Sequence, residues 1–347
     1  MYDKVELVLD AAYIDGYDWH EVVERLKSNW ILLGKGSTKD NDEGYYWTGR
    51  HIGRIDISRR GVLFMGSIPK FMNGNNIYTL SLDEIGQFVR RLSDILGVPM
   101  QYAVVKELEF AHNFEMSQPP MIYLQKLGGM RKFKVSKIGE TVYMETTLEK
   151  IKFYDKIREA KRKRELPKDR TGLPENLLRY EVTFKEKRLK ELFKDGLTAG
   201  ELYSKRVFWT LVAEWFSYFE SVEKLPKGYL DIKFDDFKTV ADFVNWCICV
   251  ANGGQNMAYY MKYVLFKNRA SKNDGKNRLH YNIQKKIRQA LKWGEIHLPA
   301  SDSISELINK MEQYLTWLLE KSADGLSVSE EQSLFHTNPI GSFIPNP

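Results

Sequence analysis

Three short segments alternate apolar and charged residues with the two-residue period of a half-buried strand, and they constrain this chain more than any other feature. Side chains along a strand point to opposite faces in turn, so residues two apart share a face. In Val105-Lys106-Glu107-Leu108-Glu109-Phe110, Glu107 and Glu109 share one face, and Leu108 and Phe110 take the other. In Lys152-Phe153-Tyr154-Asp155-Lys156, Lys152 and Tyr154 lie opposite Phe153, and Lys156 follows if the strand persists. In Leu178-Arg179-Tyr180-Glu181-Val182-Thr183-Phe184, the residues Arg179, Glu181 and Thr183 oppose the apolar set. One sheet with one buried face then gathers carboxylates, a tyrosine and cations on its other face.

The surrounding sequence reads as mixed α and β. Val5 to Leu9 has the pattern of an opening strand. Asp18 is placed to cap a helix to Asn29, with Val22, Val23 and Leu26 on one face. Tyr45 to Leu63 alternates between glycine breaks. Ser81-Leu82-Asp83-Glu84 is a capping box, a hydroxyl followed three residues later by a carboxylate. It opens a helix through Leu96 with Ile85, Phe88, Val89, Leu92 and Leu96 as its apolar stripe. A strand from Tyr102 to Phe114 follows, then strands over Glu140–Glu145 and Lys150–Tyr154, a helix over Asp155–Glu165 and a strand over Leu177–Phe184. Beyond Lys187 strand alternation fades, and helical stripes recur in 203–223, 235–266, 278–293 and 303–321. At 347 residues two domains are expected. The fold class is α+β: residues 1–195 form a central antiparallel sheet flanked by helices, residues 196–322 a mostly helical domain, and residues 323–347 a flexible tail.

Composition narrows the setting. No run of 18 apolar residues exists, so no membrane-spanning helix is expected. The N-terminus lacks a basic segment followed by an apolar one, and the only cysteines, Cys247 and Cys249, are badly spaced for a disulfide on a helix. A reducing cytoplasm is expected. The net charge is +6, and between Lys150 and Arg170 there are ten Lys/Arg against four Asp/Glu, densest at Lys161-Arg162-Lys163-Arg164. Such clustering favours approach to a phosphate backbone, and it equally fits a solvated helix face.

The polar sheet face has the parts of one reaction. Carboxylate oxygens suit magnesium or manganese, which polarise a phosphodiester. A tyrosine hydroxyl is a covalent nucleophile once a metal or lysine favours its ionisation from a pKa of about 10. Each part alone also fits a solvated strand face, or a surface ion pair worth about 0–1 kcal/mol.

Four blocks narrow this further: Gly66-Ser67-Ile68-Pro69-Lys70-Phe71-Met72-Asn73-Gly74-Asn75-Asn76, Lys106 to Phe114, Lys152 to Glu159, and Leu177 to Lys185. In order and wording they resemble the gene II/gene X replication proteins of filamentous phages and their plasmid and phage relatives, which initiate rolling-circle replication. The resemblance runs from about Arg54 to Phe193. It implies a metal-dependent nickase that cuts one origin strand through a phosphotyrosine link and later rejoins it. Tyr154 matches the nicking tyrosine, with Lys156 and Glu159 in the Lys-x-x-Glu pattern after it. Lys156 is implied to orient phosphate or lower the tyrosine pKa.

Glu109 stands where the family has the aspartate of Arg-x-Asp, and Glu107 stands at the arginine. That departure leaves a carboxylate and removes a cation. Glu181 matches the acid after Arg-aromatic. The implied metal ligands are therefore Glu109, Glu181 and Glu107, for Mg2+ or Mn2+. The expected DNA contacts are Lys70, Asn75, Lys152, Lys161, Arg162 and Arg179. The implied partners are single-stranded or supercoiled origin DNA and a host helicase with its replication machinery.

The family is related in fold to nicking enzymes that hold metal with a His-hydrophobic-His pair. This chain lacks that pair, and His112 alternates onto the face opposite Glu109, where a packed side chain is expected. Gly128-Gly129 and Gly253-Gly254 lack the following Gly-Lys-Ser/Thr of a phosphate loop. Two rivals remain: a non-catalytic DNA-binding replication or regulatory protein, and a mobilisation or transposition nickase of the same chemistry.

Overall fold

The computed structural model describes residues 1–29, 36–41, 44–49, 53–166, 173–224 and 302–323, with a few single positions between 239 and 289. The stripes expected over 235–266 and 278–293, and the tail beyond 323, lie essentially outside the described residues.

A ten-stranded antiparallel sheet organises the chain. Its strands are β1 (Tyr2–Asp10), β2 (Gly36–Asn41), β3 (Gly44–Gly49), β4 (Gly53–Ser58), β5 (Gly61–Ser67), β6 (Val104–Glu115), β7 (Lys134–Ile138), β8 (Thr141–Glu145), β9 (Glu149–Asp155) and β10 (Leu177–Lys185). They lie in the order β2-β3-β4-β5-β1-β6-β10-β9-β8-β7. The three segments that alternate in sequence are thus β6, β10 and β9, and they are consecutive neighbours. The first residues of the strand expected from Tyr102 instead form a 3-10 turn over Met100–Tyr102, because Pro99 fixes the entry to it. The hairpin partner β7 carries mainly polar residues, and its sequence gives no strand signal.

One sheet face is apolar. Leu7, Phe64, Leu108, Phe110, Tyr180, Val182, Phe184, Ile151 and Phe153 are fully buried there. Helices Trp19–Ser28 and Leu82–Leu96 cover one part of it, and helices Lys205–Ser221 and Asp302–Ala323 another, all within one core. Asp18 caps the first helix, and Ser81 and Glu84 complete their capping box, as the sequence indicates. Trp215 packs against Tyr180 with ring centroids 4.8 Å apart, and Tyr314 stacks on His112 at 3.6 Å. The described parts of 196–322 therefore share the core of the sheet. His112 is buried on this face, as expected from its alternation.

The other face is polar and partly roofed. Ser67 caps the short helix Ile68–Asn73, and Gly74 ends it at a φ of 74°, which glycine adopts without strain. The chain then turns over the sheet. Ile77 packs with Ile157 and Leu177 in a small separate cluster, joining this turn to helix Lys156–Lys163. A bulge shapes the same corner. The β1–β6 register steps from Tyr2↔Phe110 to Val5↔Leu108, so Asp3 and Lys4 together oppose Glu109. An extra residue of this kind turns two consecutive side chains toward one face.

Candidate metal and nucleophile site

Four adjacent strands each contribute to one constellation. Asp3 from β1, Glu109 from β6 and Glu181 from β10 each offer a carboxylate oxygen, and these oxygens all lie within 4.8 Å of one another. The fourth strand, β9, supplies Lys152 and Tyr154. The Tyr154 hydroxyl donates to Glu181 Oε2 at 3.1 Å. Lys152 Nζ donates to Glu109 Oε1 at 3.2 Å and makes a short contact with Glu181. The pairing register sets this directly: Lys152 is opposite Glu181, and Tyr154 is opposite Arg179.

A buried network holds the carboxylates. Asp3 accepts from Ser67 Oγ at 2.7 Å and from Asn76 Nδ2 at 3.1 Å, and it pairs with Arg179. Arg179 also donates to Glu181 at 3.3 Å and to Asn113 Oδ1 at 3.0 Å. Thr183 Oγ1 donates to Glu109 at 3.4 Å. Asn76 accepts from Lys156 Nζ at 2.8 Å, so the turn over the site links Asp3 to the helix that follows Tyr154.

The electrostatics follow from these contacts. Burial works against ionisation of Asp3, but Arg179 foremost, then Lys156 and the Ser67 hydroxyl, hold it down at about 2. Glu181 is likewise buried, and Lys152 and Arg179 bring it below the ordinary carboxylate range. Glu109 goes the other way. Burial, then the Glu181 charge, push it up to about 7 despite Lys152. Lys152 and Arg179 are shared among three carboxylates, and the imbalance falls on Glu109. Burial first and Glu181 second push the Tyr154 phenol well above its usual value, so it is a protonated donor here. Three convergent carboxylates suit a hard divalent cation such as magnesium or manganese.

The residues expected from the sequence divide clearly. Tyr154, Glu109, Glu181 and Lys152 are brought together. Glu107 is not: it lies further along β6 and pairs with Lys4 at 3.1 Å near the surface. Alternation gives it the right face but not the right position along the strand. Lys156 is buried beneath the roof, and its ammonium is held by Asn76 and by Glu159 at 2.9 Å. Burial, then Arg179, lower its pKa. Arg179 is buried too, so it supports the carboxylates from within and offers no DNA-facing surface.

Lys70 is tied to Glu165 at 2.9 Å. Asn75 shapes the turn, accepting from the Ile77 N–H at 3.1 Å, and its neighbour Asn76 is the one that reaches the site. Lys161 and Arg162 are exposed on their helix. Tyr180, next to Glu181 in sequence, faces away from the site and donates to the Trp215 carbonyl on the apolar face at 2.8 Å. Sequence patterning misses Asp3, Asn76 and Asn113. The visible signal for Asp3 is two successive polar residues, Asp3-Lys4, between Tyr2 and Val5, the mark of a bulge in an alternating strand.

Residues 48–214 match the family model for the N-terminal part of the gene II-type replication-associated protein. Over this span the chain is similar to the gene II-type replication-associated family. The matched gene II-type region contains Tyr154, Glu109, Glu181, Lys152 and Arg179, while Asp3 precedes it. No individual curated protein matches the chain in sequence. Among solved structures, the rolling circle replication initiator protein from Geobacillus stearothermophilus is similar at 11% identity, with a TM-score of 0.37, over 68% of this chain and 89% of that one. No helix among the described residues is long and apolar enough to cross a membrane.

Proposed function

We propose that this gene II-type chain is a rolling-circle replication initiator that nicks one strand of origin DNA with Tyr154 and later rejoins it. The observation that carries the reading is the 3.1 Å hydrogen bond from the Tyr154 hydroxyl to Glu181, itself one of three converging carboxylates. A nucleophile within hydrogen-bond reach of a base is the arrangement covalent catalysis requires.

Tyr154 Oη attacks the scissile phosphorus, and its proton passes to the Glu181 carboxylate that already accepts it. The bond from phosphorus to the 3′-oxygen breaks, and that oxygen leaves and takes up a proton. The products are a phosphotyrosine link and a free 3′-hydroxyl. The link retains the energy of the broken ester, so a 3′-hydroxyl can reverse the attack and rejoin the strand without ATP. A divalent cation held by Asp3, Glu109 and Glu181, magnesium or manganese, supplies Lewis-acid stabilisation of phosphate charge and favours the phenolate.

Arg179 fixes Asp3 and Glu181 from below, and Lys156 fixes Asn76 in the roof. Lys161 and Arg162, exposed on the helix directly after Tyr154, offer a cationic approach for single-stranded or supercoiled origin DNA. The 3′-hydroxyl is a primer end, which makes the host helicase and polymerase the natural next partners.

The test is nicking of supercoiled DNA carrying the cognate origin, with and without magnesium. Wild-type protein nicks only with metal, and Tyr154→Phe does not. Metal-dependent nicking by Tyr154→Phe at the wild-type rate would refute the assignment. Tight origin binding by a wild-type protein that never cuts would favour a binding-only initiator.

A further inference from the structure

Lys152 stands out because its ammonium is placed where a cation is wanted. It touches Glu109 and Glu181, two of the three carboxylates that converge on one point. The cross-strand register puts it there, directly opposite Glu181. Its side chain is 20% exposed, against 3% for Glu181, so it reaches in from the open edge of the site. The other cation of the group, Arg179, is locked: it is 4% exposed and is bound by Asp3, Glu181 and Asn113. One cation of the pair is therefore enclosed on all sides, and the other is a long side chain that keeps some exposure to solvent.

We propose that Lys152 is a place-holder for the divalent cation, occupying the Glu109–Glu181 gap in the metal-free protein and swinging out when metal binds. This rests on the metal reading given above. The physical basis is competition between like charges. An ammonium and a divalent cation cannot both sit between the same two oxygens without strong repulsion in a buried setting. A lysine suits the task, being a compact charge on a four-carbon stem with no fixed hydrogen-bond geometry. Release returns rotamer freedom to the side chain. Lys152 is two residues before Tyr154 on the same strand face, so a displaced ammonium stays beside the nucleophile, where the phosphate to be cut would lie. The side chain thus offsets the mutual repulsion of the carboxylates before metal arrives, and it sets how tightly metal is held.

The test is direct binding of Mn2+ to full-length protein, by calorimetry or by loss of the free-ion electron paramagnetic resonance signal, in wild type, Lys152→Met and Lys152→Gln. Circular dichroism checks that each variant folds, and the glutamine variant keeps a polar head should methionine disturb the site. The place-holder role predicts Mn2+ affinity about ten-fold or more tighter in the variants, with a lower thermal midpoint when metal is chelated. A lysine that merely braced the fold would weaken metal binding when removed. Wild-type binding with variants of equal or weaker affinity would overturn this inference and leave the metal reading standing. Absence of Mn2+ binding in wild type and variants alike would overturn both.

Discussion

Replacing Glu109 by glutamine should stabilise the metal-free protein at pH 8 while weakening its hold on metal. Glu109 is 13% exposed and has its carboxyl pushed up to about 7 from an ordinary 4.5. Between those values the folded protein binds a proton that the unfolded chain has released. Stability therefore falls as pH rises through that window, and above it the ionised group costs the fold about 3 kcal/mol. The isosteric amide removes this cost. It can still accept from Lys152, and it can donate to Glu181. The value of about 7 already includes the attraction of Lys152, so the net gain for Glu109→Gln at pH 8 is about 3 kcal/mol. At pH 5 the wild-type group is itself neutral, so the two proteins should be nearly equal. Urea unfolding with chelator present, at both pH values, measures the difference, and the other titrating groups cancel in it. Saturating Mn2+ should reverse the order at pH 8, because the variant has lost a ligand. A Glu109→Gln protein less stable than wild type at pH 8, or one with the same difference at pH 5 and pH 8, would refute the reasoning.

Asp3→Asn should cost about 3 kcal/mol in urea unfolding, because it leaves the buried Arg179 without its principal partner. It should also weaken Mn2+ binding. Glu107→Gln, which breaks only the outlying pair with Lys4, should cost no more than about 1 kcal/mol and leave Mn2+ affinity unchanged. The double variant Lys161→Ala/Arg162→Ala should weaken binding of single-stranded DNA. It should lower the slope of log affinity against log salt by about 1.4, as loss of two phosphate contacts requires, without altering Mn2+ affinity.

The strands that build the site are legible in the sequence because each has one apolar and one polar face, even where, as in β10, both faces are buried. β9 and β10 alternate, and β6 alternates from Glu107 to Phe110, so alternation alone assigns Glu109, Tyr154 and Glu181 to one polar face. Alternation fixes a face but not the alignment of neighbouring strands. Glu107 and Glu109 are equivalent by that rule, and only the register separates them. Asp3 escapes for a related reason. Counting back from Val5 by twos assigns it to the apolar face, and the bulge opposite Glu109 reverses that.

Depth is likewise unreadable. Arg179 and Lys156 have the composition of DNA contacts, yet the turn from Gly74 to Ile77 and the helix after Tyr154 roof them over. Asn75 and Asn76 are adjacent and chemically identical, and which one reaches the site depends on how that turn folds. The helices of 205–221 and 302–323 are visible from their stripes. Their packing on the sheet is not, because a stripe says that a face is buried and not against what.

The most direct test asks whether Tyr154 becomes covalently joined to DNA. Wild-type protein would be incubated with Mg2+ and cognate origin DNA, digested with protease and nuclease, and analysed by mass spectrometry. The expected product is a nucleotide linked through its 5′-phosphate to Tyr154, in a peptide spanning Phe153 to Lys156. A nucleotide on Tyr143 or another tyrosine, or cut DNA with no protein attached, would contradict it.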